Sequence, residues 1–433
     1  MNKPWLFTKV GGATLIGIFA VTYSVIATLF VGVPFWSVLL ASTLTFILFA
    51  SNLKLIKERK YAYIFFAITI IKLVLLVLNA KYKIPFMAGV DWVNYHNYAL
   101  EAISGGDGIV DIFNNSLDFF VFIMALIYKV FGANAEQIYF YIFPLSLLMV
   151  RYVHKTVLLL SKKQKSADRS SVMMAAWPVD IIFSLALLRE IPIQLLVIAS
   201  FFNFLKYHFY KKTGNLLLAF GLIILAALTH SGMIGIFVVY LYALVQDRLY
   251  GKYRFVRVAG LVVAALAVLV ISFTPLWDSM SKRFTSTSSE NGVVTALENQ
   301  DKYLGAAATN YISSAPQDTV GVITSIPYRF AMFTLSPLPW QVHNFGTILS
   351  FVMDGVLQLL VVYALIRLYR GREWLSKKLR NIGTLIMMCI VATYLIFSLG
   401  TSNYGTAMRH RAKIAPLVVV LLTAYEIKRR QTS

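Results

Sequence analysis

Apolar runs of about 20 residues, each long enough to cross a hydrocarbon layer of roughly 30 Å, recur along this chain from one end to the other. They read as helical crossings at about 10–31, 34–50, 62–79, 137–160, 171–188, 190–206, 215–230, 231–247, 258–276, 345–367, 381–399 and 412–427. The connections between them collect basic residues: Lys54, Lys57, Arg59 and Lys60; Lys162, Lys163, Lys165 and Arg169; Lys206, Lys211 and Lys212; Arg248, Lys252, Arg254 and Arg257; Arg367 to Arg380; Lys428, Arg429 and Arg430. The positive-inside rule sends these to the cytoplasm together with the N-terminus, and every crossing then alternates without conflict. Residues 116–132 are also apolar enough to count as a span, but a crossing there would turn every later basic connection outward. The pattern therefore predicts a helix lying along the outer surface. The expected fold is all-α: one polytopic integral membrane domain of about twelve transmembrane helices, with both termini cytoplasmic.

Composition agrees with the pattern. The 433 residues are 58% hydrophobic and only 14% charged, against about 25% charged in soluble domains. A net charge of +21 could suggest a nucleic-acid partner, but its placement in short connections is that of membrane topology, so no nucleic acid is expected. The one cysteine, Cys389, sits in an apolar run and cannot form a disulfide within the chain. The first apolar run is too long for a signal-peptide core and lacks a small-residue cleavage site, so it is expected to remain as a membrane helix. There is no Walker loop, GxGxxG, GxSxG, HExxH or CxxC, which argues against nucleotide, zinc or serine-hydrolase chemistry.

Two long segments face outward in this topology, 80–136 and 277–344. The first holds Gly89 to Glu101, in which Asp91, Tyr95, Tyr98 and Glu101 fall near helical spacing and His96 lies among them. The second ends in the proline-broken aromatic run Ile326 to Trp340, which contains Arg329 and suggests a re-entrant or interfacial piece. Arg189, Glu190, His230, Arg409, His410, Arg411 and Lys413 lie at outward helix ends or connections. Ionisable groups at membrane depth are expensive and mark sites or pathways. Arginine forks suit phosphate oxygens, and a carboxylate or histidine beside them can take a proton from an incoming hydroxyl. The rival readings are structural. Arg189-Glu190 is also what a charged turn looks like, Arg409 to Arg411 could be snorkelling anchors, and Lys72 and Asp180, deeper in crossings, read best as buried partners.

These residues carry a resemblance. Asp91-x-x-x-Tyr95-x-x-Tyr98-Ala99 to Gly105-Gly106, followed by an apolar helix ending in Val130-Phe131-Gly132, resembles the first external loop and juxtamembrane helix of the GT-C superfamily of lipid-linked sugar transferases. Leu187-Leu188-Arg189-Glu190, Lys211-Lys212 and Ala227-Leu228-Thr229-His230-Ser231 are similar to bacterial exopolysaccharide polymerases of the Wzy and EpsG type. Asn403-Tyr404-Gly405-Thr406 to Arg409-His410-Arg411 resembles the late arginine motif of such enzymes. The resemblance implies a GT-C-like fold in a bacterial cell membrane, with its site at the outer face. Its substrate would be a polyprenyl-linked glycan, with no cofactor and no metal. Asp91, Glu190 and His230 would be catalytic, and Tyr95, His96, Arg189, Arg329, Arg409, His410 and Arg411 would bind substrate. Three crossings precede the Asp91 loop where the simplest GT-C pattern has one, which favours the polymerase branch, with a flippase and a chain-length regulator as candidate partners. A single-sugar transferase using polyprenyl-phosphate sugar, and a flippase for lipid-linked glycans, are the alternatives.

Overall fold

The computed structural model describes residues 9–84, 91–106, 108–249, 319–343, 345–371 and 377–425. The expected crossing 258–276, the second outward segment as far as residue 318, and the basic residues Lys252, Arg254, Arg257, Lys428, Arg429 and Arg430 lie outside them. Among the described residues every regular element is a helix. Six are long and apolar enough to cross a membrane: Ala13–Val31, Phe35–Leu55, Arg59–Tyr82, Ala135–Ser161, Thr347–Arg370 and Leu379–Leu399. Thr213–Thr229, Ser231–Val245 and Ala415–Ala424 are apolar but shorter, where the hydropathy pattern suggested further crossings. The chain forms two compact units, residues 1–202 and 203–433, each described by itself.

In the first unit, α1 (Lys9–Val31), α2 (Phe35–Leu55) and α3 (Arg59–Tyr82) pack as neighbours, and α2 packs on the long helix Ala135–Ser161. Between these come α4 (Asp91–Ser104), α5 (Ile109–Asn115) and α6 (Phe119–Phe131), with Ala135–Ser161 as α7. The segment 116–132 is a 13-residue helix, too short to span, because Asp118 caps its start by accepting from Val121 N–H at 3.0 Å and Gly132, at φ 91°, ends it. It packs on α4, as a surface helix with one apolar face requires.

The crossing expected at 171–188 is not one helix. The chain forms α8 (Gln164–Ala175), breaks at Ala176-Trp177, makes the short α9 (Pro178–Phe183), and runs irregularly through Ser184 to Arg189 before α10 (Glu190–Tyr210). Pro178 explains the break, since it has no N–H to continue the ladder and its ring disfavours helical backbone just before it. Irregular backbone is tolerated there because Leu185, Ala186 and Leu187 are fully buried in protein and Asn79 Nδ2 donates to Leu185 O at 2.6 Å. Lys72 and Asp180, both buried, lie close enough to interact electrostatically, and Gln194 Nε2 donates to Asp180 Oδ1 at 2.6 Å.

The polar sequence of α8 had the look of a loop, yet the helix is buried against α7 and closes the basic end of the unit. Asp168 accepts from the backbone N–H of Lys57 at 3.0 Å and of Glu58 at 2.9 Å, so its carboxylate satisfies donors at the start of α3 that α3 itself cannot. Gln164 Nε2 donates to Leu55 O at the end of α2 and to Asp168 Oδ1. The turn between α2 and α3 is thus clamped from more than 100 residues away.

In the second unit, α11 (Thr213–Thr229) and α12 (Ile234–Leu249) meet at a single 3-10 turn, Ser231–Met233. They are followed by α13 (Thr319–Leu335), α14 (Phe345–Ser350), a wide π turn at Phe351–Gly355, α15 (Val356–Arg370), α16 (Lys377–Leu399), α17 (Tyr404–Ala412) and α18 (Ala415–Ala424). Helix α16 is the hub, touching α12, α13, α17 and α18. The proline-broken run expected at Ile326 to Trp340 is instead helical as far as Leu335, with Pro327 inside the helix, and turns only at Ser336-Pro337.

Candidate functional site

In each unit ionisable groups and rings collect at one end. In the first unit that end is built on α4. Its buried stripe is Tyr95, Ala99 and Ala102, a helical repeat that faces α6. Tyr95 meets Phe120 edge-on at 5.3 Å, and His96 Nδ1 lies 2.9 Å from the Tyr128 hydroxyl. Asp91 opens the helix and is half-buried, where a carboxylate is favoured by the helix dipole. Tyr98 and Glu101, expected to share that spot, are exposed. Lys83 fixes how α4 enters: its ammonium pairs with Glu136 at 3.0 Å and lies 5.2 Å from the Trp92 ring and 4.6 Å from that of Tyr139.

Arg189 comes to this end at the close of the broken segment 164–189. Its guanidinium pairs with Asp118 at 2.5 Å and sits 5.7 Å from the Tyr95 ring. The pair is mostly sheltered, with 11% of the arginine side chain exposed. Glu190, the next residue, is fully buried at the first turn of α10. Asp118 was not singled out from sequence, although an acid directly before the apolar run Phe119-Phe120-Val121-Phe122 is an N-cap signal. Burial holds the His96 imidazole below its ordinary pKa, with Glu136 opposing the shift. Burial likewise raises the Tyr128 phenol, so at neutral pH the two meet as neutral groups.

In the second unit the corresponding end is a ring stack. His230 caps α11 and meets His410 edge-on at 5.1 Å and Phe397 at 5.0 Å. Phe397 and His410 are stacked at 4.2 Å and 13°. The turn after His230 fits against Phe397 only because residue 232 is glycine: a Cβ there would lie 2.4 Å from the ring. The Lys413 ammonium, 1% exposed, lies 3.0 Å from His410 Nδ1 and donates to Arg409 O at 3.2 Å. Arg329 is buried and donates to Leu399 O at 3.4 Å, while Arg409 and His410 are half-buried.

Arg411 departs from its expected role as a substrate ligand. It is 2% exposed, ion-paired with Asp354, and donates to Phe333 O and, at 2.7 Å, to Ser336 O. Asp354 also accepts from Gln358, which in turn accepts from the Tyr394 hydroxyl at 2.7 Å. A guanidinium so engaged is a clasp joining α13, the π turn and α17, and its neighbours Arg409 and His410 are what α17 leaves at the half-buried surface.

A cavity of about 200 Å³ lies toward the other end of α16, lined by Tyr207, His208, Tyr242, Asn381 and Thr384 among apolar neighbours. It is separate from the ring stack, Met388 being nine residues before Phe397 along that helix. Among the described residues no group of three or more His, Cys, Asp or Glu side chains is placed to hold a metal ion. Comparison with protein-family models, with curated proteins and with solved structures finds no match.

Proposed function

We propose that this chain is a membrane glycosyltransferase that joins polyprenyl-diphosphate-linked oligosaccharide repeat units into a surface polysaccharide. The observation that supports it most is Arg189, a sheltered guanidinium between the Asp118 carboxylate and the Tyr95 ring, with Asp91 and His96 on the same short helix. A fork of fixed charge suits diphosphate oxygens, and phenol and indole faces suit a sugar ring. In the reaction an acceptor hydroxyl oxygen attacks the anomeric carbon and its proton passes to the Asp91 carboxylate. The bond from that carbon to the diphosphate breaks, and the lipid diphosphate leaves with the electron pair. Arg189 would offset the charge that develops on it. The reading puts this chemistry at the outer face of a bacterial cell membrane, on a GT-C-like scaffold with both termini cytoplasmic.

The test is polymer length in cells carrying Arg189→Ala or Asp91→Ala, after protease and membrane-fraction controls for insertion. Single repeat units in place of long chains are expected. Normal polymer from both variants would sink the proposal, and full-length chains lacking one branch would point to a single-sugar transferase instead.

One observation favours a transport reading, the broken crossing at 164–189 with Lys72 and Asp180 buried beside it, since interrupted helices and buried charges are features of transporters. Purified protein that lengthens its lipid-linked substrate in detergent would exclude a role in transport alone.

A further inference from the structure

We propose that the cavity near the start of α16 is a binding site for an anionic phospholipid, whose phosphate sits at the polar rim and whose acyl chain begins along the apolar floor. The inference stands apart from the proposed enzyme activity. Asn381 in the cavity precedes Phe397 in the ring stack by 16 residues, about 24 Å along a helix that rises 1.5 Å per residue.

Three helices frame the cavity: residues 204–208 of α10, 242–244 of α12 and 381–388 of α16. Phe204 stacks on Tyr240 at 4.2 Å, which fastens α10 to α12, and α12 packs on α16. The lining is graded. Tyr207 and His208 lie in the last turn of α10, and Asn381 and Thr384 in the first two turns of α16. On both helices the next turn toward the middle is apolar, with Phe204 and Leu205 on one and Leu385 and Met388 on the other. The spacings 204, 207, 208 and 381, 384, 385, 388 keep each set on one helix face. Phe204, Leu205 and Leu385 are buried, whereas Asn381 and Thr384 are exposed. Polar groups at the helix ends and apolar groups further in repeat the order of a lipid's own parts.

The volume separates a whole ligand from one end of a longer one. Pockets that enclose a complete small molecule run to roughly 300–1,000 Å³, and this one holds about 200 Å³. It therefore takes part of a molecule whose remainder lies outside, and beside a helix long and apolar enough to cross a membrane that molecule is a lipid. Charge selects the headgroup. Residues 203–212 include Lys206, Lys211 and Lys212, and residues 377–388 include Lys377, Lys378 and Arg380, with no acid in either stretch. Helix α12 adds Asp247 and Arg248, one charge of each sign. Whatever pairs these side chains make, their sum is positive, and basic segments beside membrane helices draw anionic headgroups. Lys211 Nζ lies 5.3 Å from the Tyr207 ring centre, which puts one of these groups next to the rim. The phenols of Tyr207 and Tyr242 and the amide of Asn381 are donors that phosphate oxygens can accept from.

The test is photolabelling of the full chain in phosphatidylcholine vesicles, using phosphatidylglycerol with a diazirine near the start of one acyl chain. Peptide mapping should concentrate the label on residues 204–205 and 385–388. Unlabelled phosphatidylglycerol should compete for it severalfold better than added short-chain phosphatidylcholine. Ala243→Phe, which fills the cavity from α12, should abolish labelling there and leave it unchanged on α1 to α3. Asn381→Ala, at an exposed position, should weaken it severalfold and keeps the test open if the larger side chain disturbs packing. Label spread evenly over the apolar helices, equal competition by the two phospholipids, or unchanged labelling in both variants would overturn the proposal. Stronger competition by a polyprenyl phosphate than by phosphatidylglycerol would overturn it too, by assigning the cavity to the enzyme's own substrate. The wild-type map decides even if both variants fail to fold, and loss of the enzyme reading would leave it standing.

Discussion

Arg189 and Arg411 have the same side chain and each pairs with one carboxylate, yet they do different work. Arg189 meets Asp118 with a tenth of its side chain still exposed and an aromatic ring beside it. Arg411 meets Asp354 in a sealed site and also donates to two backbone carbonyls. The carbonyls are the difference that matters, because through Nη1 they tie the guanidinium to the end of α13. A buried arginine held by the backbone in this way is a clasp between elements.

The contrast is sharpest in what each acid is worth. Asp354→Ala should leave a buried guanidinium without its counter-charge, at a cost of about 3–5 kcal/mol. The expected result is a large loss of folded protein by size-exclusion chromatography, whatever the assay for activity. A variant that runs and unfolds like wild type would mean that the two carbonyls alone hold Arg411. Next in size is Gly232→Ala. Its Cβ would press into the Phe397 ring, an overpacking of about 1–3 kcal/mol. This should disturb the His410 stack and, on the proposed function, lower polymerisation more than it lowers the unfolding midpoint. Equal losses in both would make the turn a packing feature only.

Asp118→Ala should cost about 1–2 kcal/mol, mostly the lost cap on α6. Folded protein should persist while, on the proposed function, polymer length collapses, the reverse of the Asp354 result. Smallest is a pH effect at His96. Its folded pKa is lowered from 6.5, so the contribution to stability is fully present above pH 6.5 and is lost as pH falls below that value through the folded pKa. His96→Gln should flatten this acid limb of the unfolding midpoint. An unchanged limb would assign it to other groups.

The helical class and six of the long apolar helices were legible from hydropathy, whereas the shortness of the helix within 116–132 rests on Asp118, which the hydropathy reading passed over. The interior of the segment after Ser161 was not legible either. Hydropathy reads Lys165, Asp168 and Arg169 as a loop, but Asp168 earns burial by accepting from Lys57 and Glu58, a long-range partnership that no local window contains. Pro178 did announce the break, and an apolar count simply outweighed it. At the candidate site, helical spacing identified Tyr95 but overstated Tyr98 and Glu101, because the stripe on α4 is set by contact with α6. Arg409 to Arg411 could be found as a cluster, whereas the division of labour between them depends on Asp354, which lies more than 50 residues away.

The irregular stretch from Ser184 to Arg189 bears on how the protein is made. In the proposed topology its peptide groups could not be left to hydrocarbon, and in the finished unit Asn79 and the buried surroundings answer for them. A segment of this kind cannot leave the translocon as a finished helix and wait in lipid for its neighbours. It has to be held in a polar or protein-lined space until α10 has emerged from the ribosome, so integration of residues 164–210 should proceed as one step, with a truncation at residue 189 left poorly inserted.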